Sequence, residues 1–475
     1  MGTPGPGPAY RMGETVKRAG PMKYADFIKS KKHSSIDYGI KPSFMAAAMF
    51  DYQKYVAEYA IKKGRCAVFL DTGLGKTVIE LTVAENYARA TNKPVLILTP
   101  LAVAFQFIEE AKKFGTSEVQ YSKDGKFTSD VVVCNYERLD KFNPDDFDCV
   151  ILDESSILKN FDGSTKATVT AFMKRVKYRF LFTATPSPND FIELGTSSEA
   201  LGYMGYMDML GKFFSNNENN IKAMDRIGNK FYLKPHAKDD FFRWVSSWSV
   251  SMRKPSDLGF SDDRHKLPAL NVIPHKVHNK DQWIVDGQVM MFAMIAQRLT
   301  EVRQEQKMTI NERCAKAVEL AQGKTSVYWC NFNNEGELIG QLDKDAKEIK
   351  GGMSIDQKED ILLAFAKGDI KRLITKPKMT AFGLNWQHCS HTVYFPTFSY
   401  EQYYQAIRRF YRFGQTKDVT VDLVYSEGQK RVIDSLREKT KKADELFDKL
   451  NKSINSDFQL SSREFNQTVQ TPKWI

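Results

Sequence analysis

The chain is poor in the residues that make staples, metal knuckles or membrane anchors. Its six cysteines (Cys66, Cys134, Cys149, Cys314, Cys330 and Cys389) form no C-x-x-C pair. Most sit in apolar runs, so they read as reduced core residues rather than as a disulfide framework. His388-Cys389-Ser390-His391 has ligand-like spacing but lacks a second ligand pair and abuts a strand pattern, so no zinc site is expected there. His275 and His278 are equally unsupported as ligands. No apolar run is long enough to span a bilayer. The N-terminus lacks the charged-then-apolar pattern of a secretion signal, which implies cytoplasmic synthesis and residence.

What is present describes a globular protein of more than one core. The 475 residues are 42% hydrophobic and 27% charged. That length suits two or three domains. Basic side chains number 69 against 58 acidic ones, a net charge of +11. The bias favours a polyanionic partner, although charge alone is weak support. Residues 1–21 are rich in glycine and proline with almost no apolar anchor, and read as a disordered tail or an appended leader before Met22.

The organising stretch is Arg65 to Thr77, RCAVFLDTGLGKT. Cys66 to Leu70 is an apolar run with the character of a buried strand. Thr72, Gly73, Leu74 and Gly75 form a glycine loop, and Lys76-Thr77 open a helical pattern through Glu80, Ala84 and Tyr87. Strand, glycine loop, Lys-Thr and helix are the context of a phosphate-binding loop. Its backbone N–H groups and helix N-terminus favour a polyphosphate. Lys76 would neutralise the β and γ phosphates of ATP, and the Thr77 hydroxyl would hold Mg²⁺. Leu70 stands where the strict pattern has glycine. The competing reading is an ordinary glycine turn before a helix.

Apolar strand patterns then alternate with helical ones at Lys93–Pro100, Val131–Asn135, Asp148–Glu154 and Arg179–Pro186. That rhythm predicts a parallel sheet covered on both faces. Its active edge lies beyond the strand carboxyl ends, where Gly73, Pro100, Asn135, Asp153 and Thr185 fall. From Gly195 the rhythm breaks into an expected helical insertion at about 195–255. There Phe241, Trp244, Val245, Trp248 and Met252 have the spacing of one helical face, more readily a core stripe than a base-stacking platform. Residues 261–280 read as a linker. A second series follows at Thr325–Phe332, Ile370–Pro377, His391 and Val419. A final helix over Gly428–Leu450 carries Val432, Leu436, Ala443, Leu446, Phe447 and Leu450 on its buried face, and 451–475 is a polar tail. The expected fold is therefore α/β, with lobe 1 at 22–260, lobe 2 at 281–450 and a cleft between them.

Three side-chain groups carry the chemistry. Asp153-Glu154 closes a strand in the same unit as the phosphate loop; Asp153 suits Mg²⁺ and Glu154 suits the role of base, although such a pair also ends many turns. Gln53, shortly before the loop, could read the edge of adenine or be a solvated helix-surface glutamine. EQYYQAIRRFYRFGQ packs Arg408, Arg409 and Arg412 together. Clustered arginines repel one another, so an anion is expected near them: the γ-phosphate across a cleft, or nucleic acid on a basic face.

The ordered set FDYQ, DTGLGKT, LTPLAV, CNYE, LDES, FTATP, MTAFGLN and QAIRRFYRFGQ resembles the superfamily-two helicases, nearest their Swi/Snf-type branch and its short bacteriophage and prophage members. The resemblance runs from about Tyr24 to Tyr425. It implies two tandem RecA-like doubly wound lobes and an ATP- and Mg²⁺-dependent motor. It implies Gln53 for adenine, the 72–77 loop and Gly383 around nucleotide, and Gln405, Arg409 and Arg412 in the last motif, the two arginines as fingers. Arg408 is an extra basic residue that serves as a control if it faces outward or touches DNA. Thr99, Pro100, Asn135, Thr380 and Asn385 fall in motifs that contact a nucleic-acid backbone, and Thr183 and Thr185 in one that couples the lobes. Ser155-Ser156 departs from a pattern that often ends in histidine, and Thr380-Ala381 from a glycine pair. The implied activity is ATP-driven translocation on DNA, favouring duplex without sequence preference, in phage-type replication, recombination or repair in the host cytoplasm. A strand-separating DNA or RNA helicase is the alternative, and an ATP-dependent switch or loader for a nuclease or replication partner is a third reading. A monomer is expected.

Overall fold

The computed structural model describes residues 37–100, 103–160, 163–216, 231–278, 283–285, 288–290, 305–379 and 386–465. The expectations for residues 1–21 and for Thr380, Gly383 and Asn385 lie outside them.

The chain enters through α1 (Asp51–Lys63), which ends at Gly64 in the left-handed conformation (φ 73°). There follow β1 (Arg65–Leu70), α2 (Lys76–Thr91), β2 (Val95–Thr99), α3 (Ala104–Phe114), β3 (Val119–Tyr121), β4 (Val131–Asn135), β5 (Cys149–Leu152), α4 (Ser164–Arg175) and β6 (Tyr178–Thr183). Then come α5 (Leu194–Leu201), α6 (Tyr206–Phe213), the antiparallel pair β7 (Phe214–Asn216) and β8 (Phe231–Leu233), α7 (Lys238–Ser246) and β9 (Ser249–Met252). Strands β1 to β6 and β9 form one parallel sheet in the order β3-β4-β2-β5-β6-β1-β9. The central strands are mostly apolar and are buried along their whole length, as a sheet with helices on both faces requires.

The second sheet is built from β10 (Leu270–Val277), β13 (Ser326–Trp329), β14 (Ala346–Glu348), β15 (Arg372–Thr375), β16 (His391–Tyr394) and β17 (Val419–Ser426). A short antiparallel pair, β11 (Trp283–Val285) and β12 (Gln288–Met290), lies between β10 and β13 in sequence. Its helices are α8 (Ile310–Ala321), α9 (Asn333–Leu342), α10 (Ile355–Lys367) and α11 (Tyr400–Ile407). The strand order is β10-β17-β16-β13-β15-β14, again parallel throughout. The architecture is thus two doubly wound α/β lobes. Among the described residues no helix is long and apolar enough to cross a membrane, and all six cysteines are buried free thiols.

Three local expectations are corrected. The stretch containing Phe241, Trp244 and Trp248 is not one helix: α7 stops at Ser246, and Ser249–Met252 is the edge strand beside β1. All five residues of the supposed helical face are buried nonetheless, three of them on α7, Trp248 in the turn and Met252 at the end of a strand buried at every position. Part of the supposed linker is β10, in register with β17. It is an edge strand with mostly exposed side chains and tolerates Pro274, so it lacks the apolar signature of the inner strands. Finally, α12 (Lys430–Phe465) runs past residue 450 into the supposed tail.

That last helix leaves the second lobe and packs on the first. Leu446, Phe447 and Leu450 belong to the same core as Phe241, Trp244 and Trp248. Around this apolar seam Lys442 pairs with Asp190 (2.9 Å), and Ser251 Oγ donates to Asn451 Oδ1 (2.7 Å). Arg253 Nη1 pairs with Asp444 (2.5 Å), and its guanidinium lies 4.5 Å from the Phe447 ring centre. A Phe and two Leu side chains buried here contribute several kcal/mol, at about 1.5–3 kcal/mol each.

Candidate active site

The phosphate loop leaves β1 as glycine geometry dictates. Gly73 and Gly75 have φ of 84° and 82°, conformations that side-chain-bearing residues rarely adopt. A Cβ at Gly75 would also stand 2.2 Å from Gln53 Nε2. Lys76 begins α2 and its ammonium donates to Leu70 O (3.2 Å), directly under the loop. Thr77 follows in the first helical turn, only half-buried.

Gln53 is not a solvated surface residue. It is buried on α1, donates to Leu74 O (3.1 Å) and to Tyr52 Oη (3.3 Å), and accepts from Phe50 N (2.9 Å). The amide therefore ties α1 to the loop backbone. Beside it lies an aromatic wall missed in the sequence: Phe50 stacks on Tyr52, Tyr52 Oη meets His265 Nε2 (2.9 Å), and the His265 ring lies 4.8 Å from that of Phe413. Phe413 comes from the second lobe and His265 from the connection between lobes. No spacing rule links residues so far apart in sequence.

The acidic pair sits at the end of β5. Asp153 Oδ2 accepts from the Thr99 hydroxyl (2.9 Å), and the Asp153 carbonyl accepts from Tyr136 Oη (2.6 Å). Burial and then the neighbouring Glu154 charge push the Asp153 carboxyl up to about 7, against the opposing pull of Lys76 and Thr99. Glu154 has φ 51° and ψ 51°, one of two non-glycine residues in the left-handed region among those described. Such a conformation costs on the order of 1–3 kcal/mol and persists where the surroundings impose it. Its carboxylate lies 3.5 Å from Thr183 Oγ1, which also accepts from Thr185 N (3.0 Å). The acid and the Thr183–Thr185 segment are thus in direct contact.

A third carboxyl, Glu80, lies one helical turn beyond Lys76. It is fully buried, and among the described residues neither of its oxygens has a hydrogen-bond partner. Burial, followed by Asp153, raises its proton affinity. Asp153, Glu154 and Lys76 all lie close enough to act on Glu80, the two carboxylates raising its proton affinity and the ammonium lowering it. The sequence pattern carries Glu80 only as a helical position, and its isolation is a property of the fold.

The remaining expected residues divide into two groups. Thr99 and Asn135 are fully buried, with Thr99 bonded to Asp153 and Asn135 Oδ1 to Tyr121 Oη (2.6 Å). Both side chains face inward, and Pro100 at the same edge is half-buried. Of Gln405, Arg409 and Arg412, the last comes up to the loop from the second lobe, Arg409 lies near Glu154, and Gln405 is half-buried on α11. A Cβ at Gly73 would stand 3.0 Å from Phe413 N and 3.5 Å from Arg412 Cβ. Burial, then the adjacent Arg412, lowers the Arg409 guanidinium to about 10 against the pull of Glu154. Burial likewise lowers Arg412 to about 10. Two desolvated cations side by side suit a polyanion in the cleft.

Arg408 neither faces outward nor belongs to a solvated basic face. Its side chain is 17% exposed and pairs at 2.6 Å with Asp71, the residue before the loop. Ser156 likewise donates to Glu401 of α11 (2.6 Å), so the serine pair at the end of the acidic motif links to the second lobe.

Residues 47–188 match the family model "Type III restriction enzyme, res subunit", and residues 306–414 match "Helicase conserved C-terminal domain". Curated relatives include the DNA annealing helicase and endonuclease ZRANB3 of Bos taurus, 28% identical over 190 residues, 36% of this chain and 17% of that protein. A SWI/SNF-related matrix-associated actin-dependent regulator of chromatin subfamily A-like protein 1 of Xenopus tropicalis is 23% identical over 177 residues, 35% of this chain and 19% of its own. Putative protein p41 of Acyrthosiphon pisum secondary endosymbiont phage 1 is 27% identical over 171 residues, 30% of this chain and 36% of its own. The chain thus matches less than a fifth of the length of the first two relatives. The solved Sulfolobus solfataricus SWI2/SNF2 ATPase core in complex with dsDNA aligns with TM-score 0.40 and 18% identity over 91% of this chain and 99% of its own. With the two family models in order over the first and second sheets, the chain belongs to superfamily two of the ATP-hydrolysing helicases and translocases, with relatives among its SWI/SNF-related members.

Proposed function

We propose that the chain is an ATP-driven motor that translocates on DNA, with duplex as its track, by opening and closing lobe 1 (22–260) against lobe 2 (281–450). The observation that carries this reading is the approach of Arg412 and Phe413 to Gly73, which sets the arginine motif of one lobe against the phosphate loop of the other. DNA as the nucleic acid draws support from relatives named as DNA annealing helicases and from the net charge of +11.

In this mechanism Lys76 leaves Leu70 O to meet the β and γ phosphates. Thr77 and Asp153 would hold Mg²⁺, which when bound would neutralise phosphate charge and polarise the γ-phosphoryl group. Glu154 orients the attacking water and takes its proton. Gln405 lines the closing side, while Arg409 and Arg412 stabilise charge that develops in the transition state. Gln53 and the Phe50–Tyr52 wall position the base. The contact of Glu154 with Thr183 carries the hydrolytic state toward the Thr183–Thr185 segment. On the second lobe Lys350 and Lys376, beyond the carboxyl ends of β14 and β15, supply backbone-phosphate contacts.

A triplex-displacement assay run beside a forked-duplex unwinding assay tests the proposal. Displacement with intact duplex supports translocation. Unwinding without displacement assigns strand separation instead, and DNA binding that switches with ATP but moves nothing assigns a loader.

A further inference from the structure

One face of α11, continued by Arg408 just past its end, is committed to the first lobe at three positions. Glu401 accepts from Ser156 Oγ (2.6 Å) and pairs with Lys159. Three residues on, Tyr404 Oη donates to Asp71 Oδ1. Four further on, Arg408 Nη2 pairs with Asp71 Oδ2 (2.6 Å). Spacings of three and four place these side chains in one row along the helix. Their partners flank both halves of the hydrolytic site: Asp71 precedes the phosphate loop, and Ser156 follows Glu154 by two residues.

Asp71 is the junction. Its Oδ1 also accepts from Thr72 N (2.6 Å), fixing the first turn of the loop, and its own N–H donates to Met252 O (3.1 Å) on the neighbouring strand. Arg408 is held rigidly, with its guanidinium 5.0 Å from the Tyr404 ring centre and 5.2 Å from that of Tyr411. A buried ion pair with these added hydrogen bonds fixes one register, and removing either partner strands a charge. Burial works against the Arg408 charge, but Asp71 and then Tyr404 outweigh it and hold the guanidinium above its ordinary range.

From this geometry we propose that Arg408, Tyr404 and Asp71 form a latch that closes the lobes before nucleotide arrives and sets the distance of Arg409 and Arg412 from the phosphate loop. Arg408 is a positioning residue: it touches no phosphate, and it acts through Asp71 on the loop and through the chain on its neighbour Arg409. The inference rests on the ATPase reading for its kinetic part only. Loss of the latch should weaken capture of ATP more than turnover, since bound ATP and the two other arginines can close the cleft themselves.

The test uses the full chain with single cysteines introduced for spin labels at the exposed positions Lys112 and Lys344, the six native thiols being buried. In the nucleotide-free protein, the pulsed electron–electron distance distribution should be narrow. Arg408→Met should broaden it to longer distances and raise KM for ATP about tenfold while kcat falls less than about threefold. Asp71→Asn should do the same, and the double variant should be no worse than either single one. Arg408→Lys should restore part of the short-distance population. Thermal melting checks that each variant is folded; for any that is not, Tyr404→Phe provides the same comparison with a smaller expected shift. An unchanged distance distribution in folded Arg408→Met, or single effects that multiply in the double variant, overturns the latch. ATP hydrolysis by the unaltered chain separates the two ideas: its absence, with and without DNA, refutes the ATPase reading while leaving the distance result to stand or fall alone.

Discussion

The two lobes hold their functional side chains in different ways. In the first, each group is tied within its own sheet: Gln53 to the loop backbone, Thr99 to Asp153, Thr183 to Glu154. In the second, the functional row on α11 finds its main partners across the cleft, at Asp71, Ser156 and Lys159. The first lobe's groups are thus held by contacts of its own, whereas the row along α11 is held by contacts between the lobes. Under the proposed function, the groups that hold nucleotide belong mainly to the first lobe, closure by the second assists its capture, and hydrolysis needs both.

The largest expected effects set this contrast directly. Glu154→Gln should stop turnover with ATP still bound, and Lys76→Ala should abolish hydrolysis and weaken nucleotide binding, both read from filter binding beside steady-state rates. Arg409→Ala or Arg412→Ala should leave binding to the open form little changed yet lower kcat by about 10³ or more, in the range of arginine fingers elsewhere. If those arginine variants instead kept DNA-stimulated rates and lost only DNA affinity, the cluster would be a nucleic-acid patch and the contrast between lobes would collapse.

Phe447→Ala crosses the comparison, because a residue from beyond the second sheet completes the first lobe's core. A loss of about 3–5 kcal/mol is expected, as for buried Phe→Ala elsewhere. Denaturant unfolding followed by a fluorophore on the first lobe would read it; an effect confined to the second lobe would contradict the packing.

Thr99→Val removes the hydroxyl that orients Asp153 and should weaken Mg²⁺ affinity about tenfold, as loss of an outer-shell partner does. Acidity acts on the same carboxyl. Its affinity for protons is raised to about 7, so below that pH it carries a proton that Mg²⁺ must displace. Affinity should fall by up to about tenfold per pH unit below 7 and level off above it. Magnesium titrations at pH 6 and pH 8 check this, with equal affinities as the failing result. The smallest effect belongs to the second lobe's surface: Lys350→Ala should reduce the salt dependence of DNA binding by about one phosphate contact without altering sequence preference.

The sequence was most readable where residues are buried by their own unit. Inner strands such as Val131–Asn135 and Cys149–Leu152 are apolar on both faces, so periodicity and location coincide. Edge strands were not readable. Val119–Tyr121 and Ala346–Glu348 are three residues each, and Leu270–Val277 exposes most of its side chains. The phosphate loop and acidic pair were legible because their geometry is local. Glu80, His265 and the bond from Arg408 to Asp71 were not, since burial and interlobe partnership leave no trace in local spacing. Asp71 illustrates the limit: it lies inside the DTGLGKT motif, yet its role depends on a residue 337 positions later.

The return of α12 to the first lobe also bears on how the chain is made. Synthesis proceeds from the N-terminus at about 5–20 residues per second. Roughly 200 residues separate Met252, the last strand residue of the first sheet, from Leu450, so tens of seconds pass before the final core side chains are synthesised. Throughout that interval the surface around Phe241, Trp244 and Trp248 lacks its native cover. The aromatic core of the first lobe is therefore closed only after the second lobe has been synthesised.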